Sequence, residues 1–327
     1  MRLVPLSARY ATLVELPLVV SRLSLSGLSS SHPDIVTLLL GTDRITLLQH
    51  LVMLPWVWQP NLASIACRWF WHRTMNETLR APSPYYVMRE ARGLIELPRL
   101  LLRFPSLARQ PRGDGEPVLV LPGYGSGDGS TMSLKGYLRL LGYRARGWGL
   151  GRNHGAVIDS LPRLLKRLGN LSRRSKQKVA IIGWSFGGYL ARELARERPD
   201  LVRLVITLGT PVVGGPKYTV AAESYRKRGI DIEAIAAEVE QRNSIANLEV
   251  PVVAIYSQKD GLVAWEACID RHTPNIEHVE VKSTHLGFGF SAEVYKVIAM
   301  RLTQFESQAA QPTKGPRRRR RLAKLPR

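Results

Sequence analysis

Cysteine is scarce in this chain. Only two occur in 327 residues, Cys67 and Cys268, too far apart in sequence to make a metal-ligand motif, and the expectation is two buried thiols rather than a disulfide scaffold. The seven histidines form no ligand cluster either, so no metal is expected, and no organic cofactor is implied. Acids are few: 26 Asp and Glu stand against 47 Lys and Arg, a formal net charge of +21. Long uninterrupted apolar runs are missing as well. The best candidate for a membrane span, Ile45 to Cys67, carries no charge but contains Gln49, His50, Pro55, Gln59, Pro60 and Asn61, which make it a poor spanning helix. Near the start, Arg9 and Glu15 break the apolar pattern and no small-residue cleavage site follows, so no secretory signal is expected. A soluble, cytoplasmic protein is expected, with any membrane contact peripheral.

Part of the positive charge is concentrated. Lys314 to Arg327, "KGPRRRRRLAKLPR", holds eight basic residues and no acid. Residues 308–327 read as a solvated, disordered tail with affinity for anionic lipid headgroups. Nucleic acid is disfavoured, because no RNA-binding motif or interleaved aromatics accompany the tail. Residues 1–115 read as a helical extension in short pieces, cut by prolines. Within it, "MREARGLIELPRLLLRF" sets Leu94, Ile95, Leu97, Leu100, Leu101 and Phe104 among Arg89, Arg92, Arg99 and Arg103, a basic amphipathic pattern. Trp56, Trp58, Trp69, Phe70 and Trp71 precede it. Packing against the rest of the protein is the first reading of these apolar residues, and docking to an anionic membrane is the second.

After the linker "QPRGDGEP" the pattern changes. "PVLVLPG", "RARGW", "KVAIIGW", "VRLVITLG", "VPVVAIYS" and "IEHVEVKS" read as strands, with helices around 130–141, 154–168, 187–198 and 291–305. Unalternated apolar strands separated by helices predict an α/β core over 116–307, a mostly parallel sheet with helices on both faces. The longest insertion, 212–249, carries Ile232, Ile235, Ala236 and Val239 at helical spacing and reads as a small cap beside the sheet. Ligands of such sheets bind beyond the carboxyl ends of the strands, and four loops lie there.

The first is Gly183-Trp184-Ser185-Phe186-Gly187, a G-x-S-x-G sequence between a buried strand and a helix. In that context the serine sits on a strained turn that pushes its hydroxyl outward. A serine hydroxyl needs a base, itself oriented by a third group. Asp260 follows "VPVVAIYS" and His285 follows "IEHVEVKS", which gives the chain order Ser, Asp, His. Asp270, His272 and His278 are rivals, but neither His272 nor His278 falls at a strand's carboxyl end, and Asp260 has a competing role as a turn residue before Gly261. The fourth loop, "LPGYGSGDGS", follows the first strand. Its glycines permit close backbone approach, and the N–H groups of Tyr124 and Phe186 are the expected oxyanion-hole donors. A phosphate-binding reading of this loop lacks the G-K-[ST] ending.

Residues 116 to 305 resemble the α/β-hydrolases, and more narrowly their lipase and esterase members. The resemblance rests on "PGYG", the elbow "GWSFGG", "LGTP" after the following strand, "KDGLV" and "STHLG". It implies an α/β-hydrolase fold with Ser185 as nucleophile, Asp260 as triad acid and His285 as base. Leu121-Pro122 stand where many lipases have a histidine, and "WGLGRNHG" resembles the loop after the second strand, with a packing role expected for Asn153 and His154. The expected activity is hydrolysis of a lipophilic carboxylic ester through an acyl-enzyme. Acyl transfer by the same triad and non-catalytic binding at a membrane on a hydrolase fold are the alternatives.

Overall fold

The computed structural model describes residues 79–245 and 248–310. The candidate span Ile45–Cys67, the aromatic residues Trp56 to Trp71 and the basic tail lie outside the described residues.

Six short segments form the strands expected of them: β1 (Pro117–Leu121), β2 (Arg144–Gly147), β3 (Val179–Trp184), β4 (Val202–Leu208), β5 (Val252–Tyr256) and β6 (Ile276–Glu280). They make one parallel sheet in the order β2-β1-β3-β4-β5-β6. Leu121 pairs with Gly183, Trp184 with Leu208, and Leu208 with Ile255, so the carboxyl ends of the central strands finish along one rim.

Continuous hydrophobicity in β1, β3 and β4 conceals a period of two, because successive side chains point to opposite faces. On one face Val118, Val120, Ala180, Ile182, Leu204, Ile206, Val253 and Ile255 are buried against α3 (Met132–Leu140) and α8 (Ala292–Ala310). On the other, Leu119, Leu121, Val179, Ile181, Val205 and Val252 meet α4 (Val157–Ser175) and α5 (Phe186–Glu197). Both faces are covered, which is why neither shows a polar alternation.

Ahead of β1, α1 (Pro84–Arg89) leads through a 3-10 helix, Glu90–Ile95, into α2 (Glu96–Leu107). Leu100 and Leu107 of α2 join the core layer formed by α3 and α8, and the Leu107 carbonyl accepts a hydrogen bond from Tyr137. Two buried leucines contribute about 1.5–3 kcal/mol each. This amphipathic segment therefore packs on the sheet's helical layer, while Leu101 and Leu102 remain exposed.

The insertion after β4 holds a 3-10 turn at Gly215–Tyr218, α6 (Ala222–Lys227) and α7 (Ile232–Ile245). Ile232, Ala236 and Val239 are buried and Ile235 is half-buried, which is the face the spacing predicts. Asn243 donates to the Val212 carbonyl at 2.7 Å, and the Gly214 N–H donates to Glu240 at 3.0 Å, tying α7 back to the loop that leaves β4. Among the described residues no helix is long and apolar enough to cross a membrane.

Candidate active site

Ser185 connects β3 directly to α5, with φ 54° and ψ −121°. A side chain in that backbone region costs on the order of 1–3 kcal/mol, so the surroundings must hold it there. They do: the Ser185 N–H donates to the Leu208 carbonyl at 2.8 Å, and the Ser185 carbonyl accepts from the Gly188 N–H and from Thr210 Oγ1, both at 2.9 Å. A Cβ on Gly183 would strike the backbone of Gly187 and Gly188, and one on Gly187 would strike the Leu121 and Pro122 carbonyls. The glycines of the elbow are thus required by close approach of strand, loop and helix.

Asp260, on the loop after β5, and His285, on the loop after β6, meet at the same rim. Asp260 Oδ2 lies 2.6 Å from His285 Nδ1, while Oδ1 accepts the N–H groups of Leu262 (2.9 Å) and Val263 (2.8 Å). With the carboxylate acting as acceptor, the ring's proton belongs on Nδ1 and Nε2 is left as the basic nitrogen. Both side chains are almost fully buried, at 6% exposure for His285 and 1% for Asp260. Burial by itself disfavours charge on the imidazole, but the Asp260 carboxylate, through its charge and hydrogen bond, and Glu90, through its charge, carry the His285 pKa above the ordinary histidine value.

Space for this pair comes from Gly209, at the end of β4. Its φ is +53°, and a Cβ there would lie 2.7 Å from the Phe288 ring, 2.9 Å from Asp260 Oδ2 and 3.0 Å from His285 Nδ1. Gly209 directly follows Leu208, whose carbonyl holds the Ser185 N–H. The Trp184 ring lies 6.4 Å from the His285 ring, centre to centre. Among the described residues Ser185 Oγ has no hydrogen bond to His285.

The loop after β1 approaches from the other side. A Cβ on Gly123 would lie 3.4 Å from Ser185 Cβ. Among the described residues the N–H groups of Tyr124 and Phe186 donate to no backbone carbonyl. Asn153 holds this loop in place. Fully buried, it donates through Nδ2 to the Pro122 carbonyl (3.0 Å) and accepts the Gly155 N–H on Oδ1 (3.1 Å). Its backbone carbonyl and N–H bond Gly125 and Ser126. Asp128 is a second clamp, accepting the N–H groups of Trp148 and Gly149 and the Lys135 ammonium. From the insertion, Tyr225 and Arg228 reach Tyr124: the tyrosine rings are 6.3 Å apart, and Arg228 lies 3.5 Å from the Tyr124 hydroxyl.

The rivals of the sequence reading are engaged elsewhere. Asp270 is buried against Arg192 (2.6 Å) and Thr273 (2.6 Å), and its N–H donates to His278 Nε2 at 3.0 Å. His272 lies 3.7 Å from Glu240. Among the described residues neither Asp270 nor His278 is hydrogen-bonded to Asp260 or His285. One site-lining residue escaped the sequence reading altogether. Glu90, from the segment before the sheet, is buried and accepts N–H groups from both the acid loop and the histidine loop. Nothing in an arginine-rich amphipathic stretch distinguishes it, since burial of one acid depends on which loops it meets.

A serine at a strand-to-helix elbow of a parallel sheet, with an acid and a histidine on two later strand-end loops, is a known combination. The fold is an α/β-hydrolase fold. No family model matches the chain, and no curated protein does. Among solved structures, the chain is similar to alpha/beta hydrolase domain-containing protein 10 from mouse, at 16% identity and TM-score 0.43 over 62% of this chain and 94% of that one. It is similar as well to a lipase-esterase related protein from Clostridium acetobutylicum, at 17% identity and TM-score 0.42 over 60% and 97%. A third likeness is to a monoacylglycerol lipase from Paleococcus ferrophilus, at 15% identity and TM-score 0.44 over 58% and 96%. The chemistry has to be argued from this site itself.

Proposed function

We propose that the protein is a serine hydrolase of carboxylic esters. Ser185 attacks the ester carbonyl, His285 Nε2 takes the hydroxyl proton and returns it to the leaving alcohol, and Asp260 orients the ring and balances its transient charge. The acyl-enzyme is cleaved by water that His285 activates in the same way, which regenerates the serine. The N–H groups of Tyr124 and Phe186 receive the tetrahedral oxyanion. Removing one such donor in comparable sites costs about 3 kcal/mol.

The observation that carries this reading is the 2.6 Å Asp260–His285 contact beside the elbow serine, in a space that only a glycine at 209 leaves open. A rotation of the Ser185 side chain toward Nε2 belongs to the proposal, as hydrogen bonds of this kind often close only with substrate bound. A lipophilic acyl group is favoured because Leu286, next to His285, and Tyr124 are exposed at the rim. The insertion, reaching Tyr124 through Tyr225 and Arg228, would act as a cap over that group.

Covalent labelling of the folded protein by a fluorophosphonate, with Ser185→Ala as control, tests the reading. Labelling of wild type alone is expected, together with hydrolysis of nitrophenyl esters that rises with acyl length. Absence of labelling in folded wild type would instead favour a binding protein on this fold, and products that appear only with an added alcohol or amine would favour acyl transfer. Peripheral binding to anionic membranes through the tail is a separate part of the proposal. It predicts salt-sensitive sedimentation with anionic vesicles that is lost on removing residues 312–327.

A further inference from the structure

Glu90 does not belong to the strand-end loops, yet it joins two of them. Its Oε1 accepts the Gly261 N–H at 2.7 Å and the His285 N–H at 3.1 Å, and its Oε2 accepts the Leu286 N–H at 2.7 Å. Gly261 directly follows Asp260. One carboxylate therefore bonds the backbone beside the acid and the backbone of the histidine itself. It is 3% exposed. An acid so buried is costly unless its oxygens are occupied, and three N–H donors meet that need.

The contact is closely fitted. A Cβ on Gly261 would lie 2.5 Å from the Tyr86 carbonyl and 2.9 Å from Glu90 Oε1, and one on Gly93 would lie 2.7 Å from Thr284 Oγ1. Bare backbone on both sides brings the Glu90–Ile95 helix down onto the two loops.

We propose that Glu90 is a positioning residue of the hydrolytic site, locking the Asp260 and His285 loops in mutual register and placing a second negative charge behind the imidazole. This inference rests on the serine hydrolase reading. When His285 takes the serine proton, the ring becomes a cation, and the charged groups that act on it are Asp260 and Glu90. The remaining close neighbours, Trp184 and Phe288, are uncharged rings. Residues 84–107 thereby support a site whose serine, acid and histidine sit on loops at the strand ends.

Full-length Glu90→Gln and Glu90→Asp proteins test the inference. Gln keeps the size but turns one oxygen into a donor that faces an N–H group, and it removes the charge. A resulting misplacement of the histidine loop by about 1 Å is expected to lower kcat about 10²-fold while KM stays within a few-fold. The acid limb of the kcat/KM profile is expected to shift to lower pH, because the imidazolium loses an attractive charge. Asp keeps the charge and is expected to hold the limb near its wild-type position while kcat falls. Folded Glu90→Gln protein with wild-type kcat overturns the inference, as does a fall in kcat and Tm with an unmoved acid limb, which would describe a residue that only supports the fold.

Should neither variant fold, amide exchange in the wild-type protein decides. Slow exchange of the Gly261, His285 and Leu286 amides as a group is expected, and exchange at the rate of an exposed loop overturns the inference. Fluorophosphonate labelling of wild type is run alongside. Labelled wild type with unaffected Glu90 variants removes this inference alone, whereas unlabelled wild type removes the hydrolase reading and this inference with it.

Discussion

His285 Nδ1 lies 2.6 Å from Asp260 Oδ2, in a site where both side chains are almost fully buried. Burial opposes protonation of the ring, and the Asp260 carboxylate and the Glu90 charge together more than offset it, so the His285 pKa is raised above the ordinary value near 6.5. A general base must be neutral to accept a proton. The acid limb of kcat/KM is therefore expected above that value, with activity lost as pH falls through it. Asp260→Asn should move the limb down and lower kcat by about 10⁴-fold, the scale seen when a triad loses its orienting acid. A pH series of ester hydrolysis with both proteins measures this. Stability runs the other way: the extra stability from the Asp260–His285⁺ pair is present below the unfolded histidine pKa and is lost as pH rises through the folded value.

Asp270 offers the opposite case. Burial pushes its carboxyl up, but the Arg192 guanidinium, with hydrogen bonds from Thr273 and the His272 N–H, holds it down at about 2. A depressed carboxylate contributes stability that is present above its unfolded pKa and lost as pH falls toward the folded one, so an acid-sensitive step is expected between about 4 and 2. Asp270→Ala leaves Arg192 buried without its partner and is expected to cost about 3–5 kcal/mol. Denaturant melts at neutral and acidic pH test this, and the residual folded protein at low temperature should retain the proposed activity.

Asn153 is a buried amide committed to the loop before Ser126. Replacing it with Ala orphans the Pro122 carbonyl and the Gly155 N–H, at about 1–3 kcal/mol of stability. The Tyr124 N–H sits on the freed loop, so kcat is expected to fall by at least tenfold, with little change in fluorophosphonate binding before the covalent step. Rapid-mixing kinetics of labelling separate the two.

Gly209→Ala places a methyl within 3.0 Å of both Asp260 Oδ2 and His285 Nδ1 and at an unfavourable positive φ. Folded protein with kcat reduced about 10²-fold and a displaced acid limb is expected. Wild-type kinetics would show that the Asp260–His285 contact has slack the geometry does not indicate.

The sheet was legible because its signals are local. Each apolar run is bounded by turn residues, and the run after Lys178 ends in the glycines of a G-x-S-x-G sequence. That pattern located Ser185 between β3 and α5, and the strand ends pointed to Asp260 and His285 ahead of Asp270, His272 and His278. Helix boundaries were less exact. The helix read over 154–168 runs as Val157–Ser175, since charged residues continue its solvent face beyond the apolar spacing.

What local pattern alone determined, then, was the order of strands and helices and the elbow at Ser185, because hydrophobic periodicity and glycine placement act over a few residues. Only the tertiary structure decided that Glu90 and Asn153 support the rim, that Gly209 leaves room for Asp260 and His285, and that Asp270 belongs to Arg192. A buried polar group is defined by its hydrogen-bond partner. The Pro122 carbonyl lies 31 residues from Asn153 and the Leu286 N–H lies 196 residues from Glu90, distances over which periodicity carries no information.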